Sequence, residues 1–161
     1  MLHRLMKDKP VLGWREWVSL PELGVDLIKA KVDTGARSSS LHAVDIEQFE
    51  RDGRQWVRFV VLPWQRSELD PVPTEAPLHD TREVRSSTGE SRSRPVITSA
   101  VRIGGVDHST ELTLTDRSEM GFRMLLGREA IRARYLVDSG RSYRTGKPAK
   151  AIRRRNRGQT P

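Results

Sequence analysis

The chain predicts an all-β fold, a sandwich or a closed barrel. Three observations predict it. Short apolar runs alternate with polar residues at period two. Gly and Pro signals separate those runs. Only residues 128–134 leave room for a helix, and that helix is short. No repeat of the length that builds solenoids or propellers is present.

The elements follow in order. Ile28, Ala30 and Val32 alternate with Lys29 and Lys31, which predicts a half-buried strand running into Asp33. Residues 44–49 and 56–62 predict two further strands, joined at the hairpin signal Asp52-Gly53. Pro63, Pro71, Pro73 and Pro77 then predict an irregular excursion. Residues 83–87 and 94–103 predict strands flanking the small polar turn Ser87-Thr88-Gly89. Gly104-Gly105 turns the chain into residues 111–115, where Leu112 and Leu114 alternate with threonines. Residues 122–126 form a compact apolar strand that ends at Gly127.

Length and charge set the organisation. A chain of 161 residues suits one domain. Lys and Arg number 29 against 21 Asp and Glu, and eight of the basic residues lie between Arg141 and Pro161, where no acid occurs. The rest of the chain is therefore neutral. The reading divides the chain into a domain over 11–146 and a basic tail over 147–161, expected to be disordered because it is poor in apolar residues. That tail reads either as an arm for RNA or a ribosome, or as a solvated terminus. No apolar run suits a membrane span, and the opening residues lack the apolar core of a secretory signal, so a cytoplasmic location is expected. Cysteine is absent, which removes disulfides, thiolate chemistry and cysteine metal sites.

Val32-Asp33-Thr34-Gly35-Ala36 carries the chemistry. A strand delivers a carboxylate to a turn of small residues. Gly35 permits close backbone approach, and Thr34 offers a hydroxyl that can brace the turn. Alone, such a turn can simply end a strand with the Asp capping local amides.

Three segments occur together in order: Lys31-Val32-Asp33-Thr34-Gly35-Ala36-Arg37-Ser38-Ser39-Ser40-Leu41-His42-Ala43, then Arg94-Pro95-Val96-Ile97, then Phe122-Arg123-Met124-Leu125-Leu126-Gly127-Arg128. With them the chain resembles the retropepsin-like aspartic proteases. It is most similar to a bacterial family formerly described as ATP-dependent zinc proteases and associated with ribosomal-protein-modifying glutamate ligases. The resemblance covers about residues 11–146. It implies a closed single-lobe acid-protease barrel with one short C-terminal helix, acting as an aspartic endopeptidase without a cofactor. It implies catalytic roles for Asp33, Thr34 and Gly35. It implies substrate contacts from Ala36, Arg37, Ser38 and Arg128, and from a flap at Ser86, Ser87, Thr88 and Gly89.

Hydrolysis by this route needs two carboxylates sharing one proton, because like charges that close cannot both ionise. Val137-Asp138-Ser139-Gly140 spells a second Asp-Ser-Gly turn. The 21 residues after it are basic and polar, too few for a second lobe. The expectation is therefore a homodimer in which each chain contributes Asp33.

Retroviral enzymes place an acidic residue where this chain has Arg37. Two readings stand side by side. Arg37 leaves positive charge near the cleft and favours acidic, glutamate-rich substrates, or it pairs with a structural carboxylate such as Glu16 or Asp45. No His-Glu-x-x-His spacing occurs among His3, His42, His79 and His108, so no metal site is expected; a set built on His42 and His79 is the weak exception. The alternative function is a non-enzymatic β module that docks on RNA or ribosomal protein through the basic tail.

Overall fold

The computed structural model describes residues 8–85, 88–117 and 121–160. The strands are β1 (Val11–Gly13), β2 (Arg15–Leu20), β3 (Val25–Val32), β4 (Ser39–Arg51), β5 (Arg54–Val61), β6 (Val72–Pro77), β7 (Asp80–Arg85), β8 (Ser91–Ile103), β9 (Val106–Thr115), β10 (Met124–Leu126) and β11 (Leu136–Asp138). Two helices, α1 (Arg128–Ile131) and α2 (Lys150–Asn156), follow β10 and β11 respectively.

Six strands close into a barrel in the order β10-β3-β2-β8-β9-β4. The closing stave is β10, only three residues long. It pairs parallel with β3 (Met124 with Ala30, Leu126 with Val32) and antiparallel with β4 (Met124 with Leu41). The segment between β3 and β4, which holds Asp33, therefore crosses the seam where the barrel shuts. The predicted retropepsin-like barrel is the observed fold.

Alternation explains the wall. Ile28, Ala30 and Val32 point inward from β3, with Lys31 exposed on the other face. Leu41, Ile97, Leu112, Leu114, Met124 and Leu126 fill the interior at 0–1% exposure. Each such burial contributes about 1.5–3 kcal/mol.

The β4–β5 hairpin turns at Asp52-Gly53, whose φ values of 51° and 75° suit the two-residue left-handed turn that the sequence signals. The Pro-rich stretch differs from expectation. It is irregular only to Pro71, and then forms β6 on the outer side of β5, with Pro73 opposite Val60. A proline cannot donate to a ladder, but an edge strand needs its donors on one side only. β7 starts at Asp80 and β8 at Ser91, each earlier than the apolar pattern predicts, and the two pair from Asp80 with Val96 to Arg85 with Ser91.

The tail over 147–161 also departs from the expected disorder. Helix α2 packs through Asn156, which is 1% exposed. Asn156 Oδ1 accepts from the Gln65 N–H (2.9 Å), its Nδ2 donates to Gln65 Oε1 (2.8 Å), and its carbonyl accepts from the Arg66 N–H (3.0 Å). Arg155 pairs with Asp70 at 3.2 Å. An apolar count misses this anchor because the ordering contacts are polar. Nearer the domain, Glu16 is fully buried on β2. Its carboxylate accepts from the backbone N–H groups of Gly13, Arg144 and Thr145 and from the Thr145 hydroxyl, at 2.7–3.0 Å. It ties the C-terminal segment across the start of the barrel. Among the described residues no helix is long and apolar enough to cross a membrane.

Candidate active site

The Asp33 turn is built by the barrel seam. The Asp33 N–H donates to the Leu126 carbonyl at 2.8 Å, extending the β3–β10 ladder by one residue. Asp33 Oδ1 then accepts from the Gly35 N–H at 2.9 Å, which fixes the carboxyl plane. A Cβ at Gly35 would lie 3.1 Å from that oxygen, tighter than side chains normally tolerate. The carboxylate is half-buried, and Thr34 and Gly35 are exposed beside it.

A second layer holds the turn from below. The Arg128 Nη1 donates to the carbonyls of Thr34 and Gly35, both at 3.0 Å. The Arg128 and Glu129 N–H groups donate to the carbonyls of Ala36 and Arg37 at 2.7 and 3.1 Å. The Gly127 N–H donates to Ser39 Oγ at 3.0 Å. Gly127 itself admits no side chain, since a Cβ there would sit 2.4 Å from the Ser38 carbonyl oxygen. The Leu-Leu-Gly-Arg run thus closes the barrel with its leucines and braces the turn with its glycine and arginine.

The structure brings together Asp33, Thr34, Gly35, Ala36, Arg37, Ser38 and Arg128. Thr88 and Gly89 lie at the far end of the β7–β8 hairpin, with Gly89 at φ 84°. Ser86 and Ser87 fall outside the described residues. Arg37 does not pair with Glu16 or Asp45; its side chain is 82% exposed, and its Nε stands 3.9 Å from Glu129. Among the described residues no group of three or more metal-binding side chains gathers. Of the two histidines weighed as ligands, His79 Nε2 contacts Glu111 at 3.0 Å, and His42 is fully buried.

The sequence reading passed over Arg117. It lies just past the end of β9, half-buried, with Nη1 on Ser40 Oγ (2.9 Å) and Nε on the Phe122 carbonyl (3.2 Å). Its N–H donates to His42 Nδ1 at 2.7 Å. Burial lowers the Arg117 pKa, Arg94 lowers it further, and Asp33 raises it. Burial, and next the Arg123 guanidinium, hold the His42 imidazole below its usual value. No local motif marks Arg117; the fold alone brings it against Ser40, His42 and Phe122.

A groove of about 500 Å³ opens beside the turn, where Thr34 and Arg128 meet Ile131, Tyr135, Leu136 and Val137.

A closed six-stranded barrel whose short closing strand buttresses an Asp-Thr-Gly turn defines a single-lobe retropepsin-like domain. The model of a family described as RimB-like, retropepsin-like aspartic endopeptidase RimB, matches residues 11–148, and the chain belongs to that family. A Shewanella pealeana protein called probable alpha-L-glutamate ligase is 48% identical over 139 residues, which cover 86% of this chain and 30% of that protein. A Desulfotalea psychrophila protein of the same name is 43% identical over 142 residues, covering 88% of this chain and 31% of that one. The chain thus spans about 30% of the length of the curated relatives it matches. A crystal structure of a Legionella pneumophila protein of unknown function superposes with a TM-score of 0.69 at 28% identity, covering 84% of this chain and 98% of that one.

Proposed function

We propose that the chain is an aspartic endopeptidase, acting as a homodimer in which two Asp33 carboxyl groups meet at a two-fold axis. The carrying observation is the Asp33 carboxyl, held in plane by Gly35 on a turn braced from β10 and α1. One such carboxylate cannot serve as both base and acid in the same step. Two brought together share one proton, and the pair titrates as a unit. One Asp33 takes a proton from the attacking water as its oxygen bonds to the substrate carbonyl carbon. The other gives its proton to the carbonyl oxygen. Collapse of the tetrahedral species breaks the C–N bond, and the nitrogen leaves with a proton. The mostly apolar groove beside Thr34 supports this dimer, since a second copy seated there would remove its apolar lining from water.

Glutamate-rich chains are the proposed substrate. Relatives named probable alpha-L-glutamate ligase carry a region like this one within longer chains, which supports a linked reaction on glutamate-bearing protein. The test compares wild type with Asp33→Asn on glutamate-rich and neutral peptides from pH 4 to 8, with and without a chelator. Chelator-insensitive cleavage that Asp33→Asn abolishes is the expected result. Cleavage unchanged by the substitution would refute the reading. A binding module acting through its basic segment would keep its function in Asp33→Asn and lose it on removal of residues 147–161.

A further inference from the structure

The C-terminal segment holds the chain's whole excess of positive charge, eight basic residues and no acid between Arg141 and Pro161. Among the described residues two of the eight meet a carboxylate, Arg141 at Asp138 (3.8 Å) and Arg155 at Asp70 (3.2 Å). Such a segment attracts a polyanion. Which polyanion depends on the groups beside it, and the segment itself supplies a single ring, Tyr143.

The fold adds two more rings. The Trp14 N–H donates to the Arg141 carbonyl (2.8 Å), and the Tyr143 N–H donates to the Arg15 carbonyl (2.9 Å), so the segment is held along the start of β2. Trp14 meets Phe122 edge to face, with centroids 5.9 Å apart. All three rings are partly exposed. Cations lie among them. The Arg15 guanidinium stands 4.6 Å from the Trp14 centroid and 4.9 Å from that of Tyr143. Its Nε donates to Ser142 Oγ at 3.0 Å, which orients the plane. Lys29 Nζ lies 5.7 Å from the Phe122 centroid and 5.5 Å from that of Tyr143, and Lys147 Nζ lies 5.7 Å from Tyr143. The far end of the segment returns to the same place. Asn156 Nδ2 donates to Gln65, and Gln65 Nε2 donates to the carbonyl of Gly121, next to Phe122.

Rings interleaved with cations suit a chain of phosphates and bases, since cations take phosphates and rings take base faces. An acidic polypeptide offers charge without a flat face, and a duplex keeps its base faces stacked inside. A second group of rings and cations lies on the β4–β5 hairpin, where Arg58 stands 4.2 Å from the Phe49 centroid and Arg51 4.6 Å from that of Trp56. Between Glu47 and Arg58 three acids balance three bases, and Arg51 pairs with Glu75 at 2.6 Å, so that group lacks the excess charge.

We propose that Trp14, Arg15, Lys29, Phe122 and Tyr143, with the basic segment behind them, form a binding surface for single-stranded nucleic acid. The proposal does not depend on the peptidase reading, and Asp33→Asn should bind as wild type does.

Fluorescence anisotropy on the full chain tests it, with a labelled uridine strand of about twelve nucleotides. Affinity should fall with salt at a logarithmic slope of about −3 to −4, as for about five neutralised phosphates. An unlabelled single strand should compete at least about tenfold better than a duplex or an oligoglutamate of equal charge. Equal competition by the RNA and its DNA counterpart assigns the surface to phosphates and bases, and tighter RNA adds the 2′-hydroxyl. Arg15→Met and Tyr143→Leu should each weaken binding about fivefold or more, while Arg58→Met stays within about twofold. Arg15→Lys, which keeps the charge but not the plane, should fall between wild type and Met and guards against a folding artefact. Competition by oligoglutamate or duplex equal to that of the single strand would overturn the proposal, leaving a surface that reads charge alone. Equal losses from Arg15→Met and Arg58→Met, or no binding at low salt, would overturn it as well.

Discussion

The chain contains two turns of nearly the same local design. Gly35 donates to Asp33 Oδ1 at 2.9 Å, and Gly140 donates to Asp138 Oδ1 at 3.0 Å. Each turn follows a strand in a parallel pair, β3 with β10 and β11 with β1. Their surroundings differ. The first lies on the seam of a closed barrel, with Arg128 under its carbonyls. The second leaves a two-stranded sheet; Asp138 is exposed, and among the described residues its one ion pair is with Arg141, at 3.8 Å. Asp-x-Gly chemistry makes an Asx turn wherever a strand ends. What differs is the support around it.

Substitutions in matched pairs sharpen or break that contrast. The largest effect is on turnover: Asp33→Asn should cut peptide hydrolysis by about a thousandfold or more, while Asp138→Asn stays within about twofold. Comparable losses from both would mean that the second turn takes part in the chemistry. Next comes backbone space. Gly127→Ala forces a methyl against the Ser38 carbonyl and should destabilise by roughly 1–3 kcal/mol in urea unfolding. At Gly140 the nearest atom to an added Cβ is 3.5 Å away, so Gly140→Ala should cost under about 0.5 kcal/mol. A tolerated Gly127→Ala would show that the seam can spread. Arg128→Met removes two hydrogen bonds at a partly solvated site and should cost about 1 kcal/mol, whereas Arg141→Met, which loses an exposed 3.8 Å pair, should be near neutral.

The smallest effect is a titration that belongs to the first turn's support alone. His42, on β4, accepts the Arg117 N–H and is surrounded by Arg123, Asp116 and Arg117; burial comes first, then Arg123, in lowering its pKa from 6.5. The folded state excludes the proton that the unfolded chain takes up below that pH. Stability is therefore full above about pH 6.5 and falls as pH drops, by at most about 0.7 kcal/mol between pH 7 and 6. His42→Asn retains an acceptor and should flatten this component of the melting profile. A wild-type curve already flat from pH 7 to 5 would remove His42 as its source.

Much of the seam was legible in residue order. Period-two alternation around Ile28, Ala30 and Val32 marks an inward face, and Met124-Leu125-Leu126-Gly127 marks a strand that must stop. Glu16 and Asn156 were not legible, because both look like surface residues. Glu16 is buried because four donors converge on it, one from nearby Gly13 and three from the distant Arg144-Thr145 segment, and Asn156 because a loop ninety-odd positions earlier offers it matching groups. β6 escaped for a related reason: its prolines argue against a central strand, and its place at the edge is a fact of topology.

Sequence alone determined where the Asp33 carboxylate stands, since a strand, an Asp, a small residue and a glycine generate that turn from local rules. Those local rules do not tell Asp33 from Asp138; only the polar, basic run after Gly140 sets Asp138 aside in the sequence. Closure of the barrel gave the two turns different surroundings, laying β10 between β3 and β4 and setting Arg128 beneath the first of them. Coulomb and hydrogen-bond energies depend on distance in space, and in this chain those distances bear no relation to separation along the sequence.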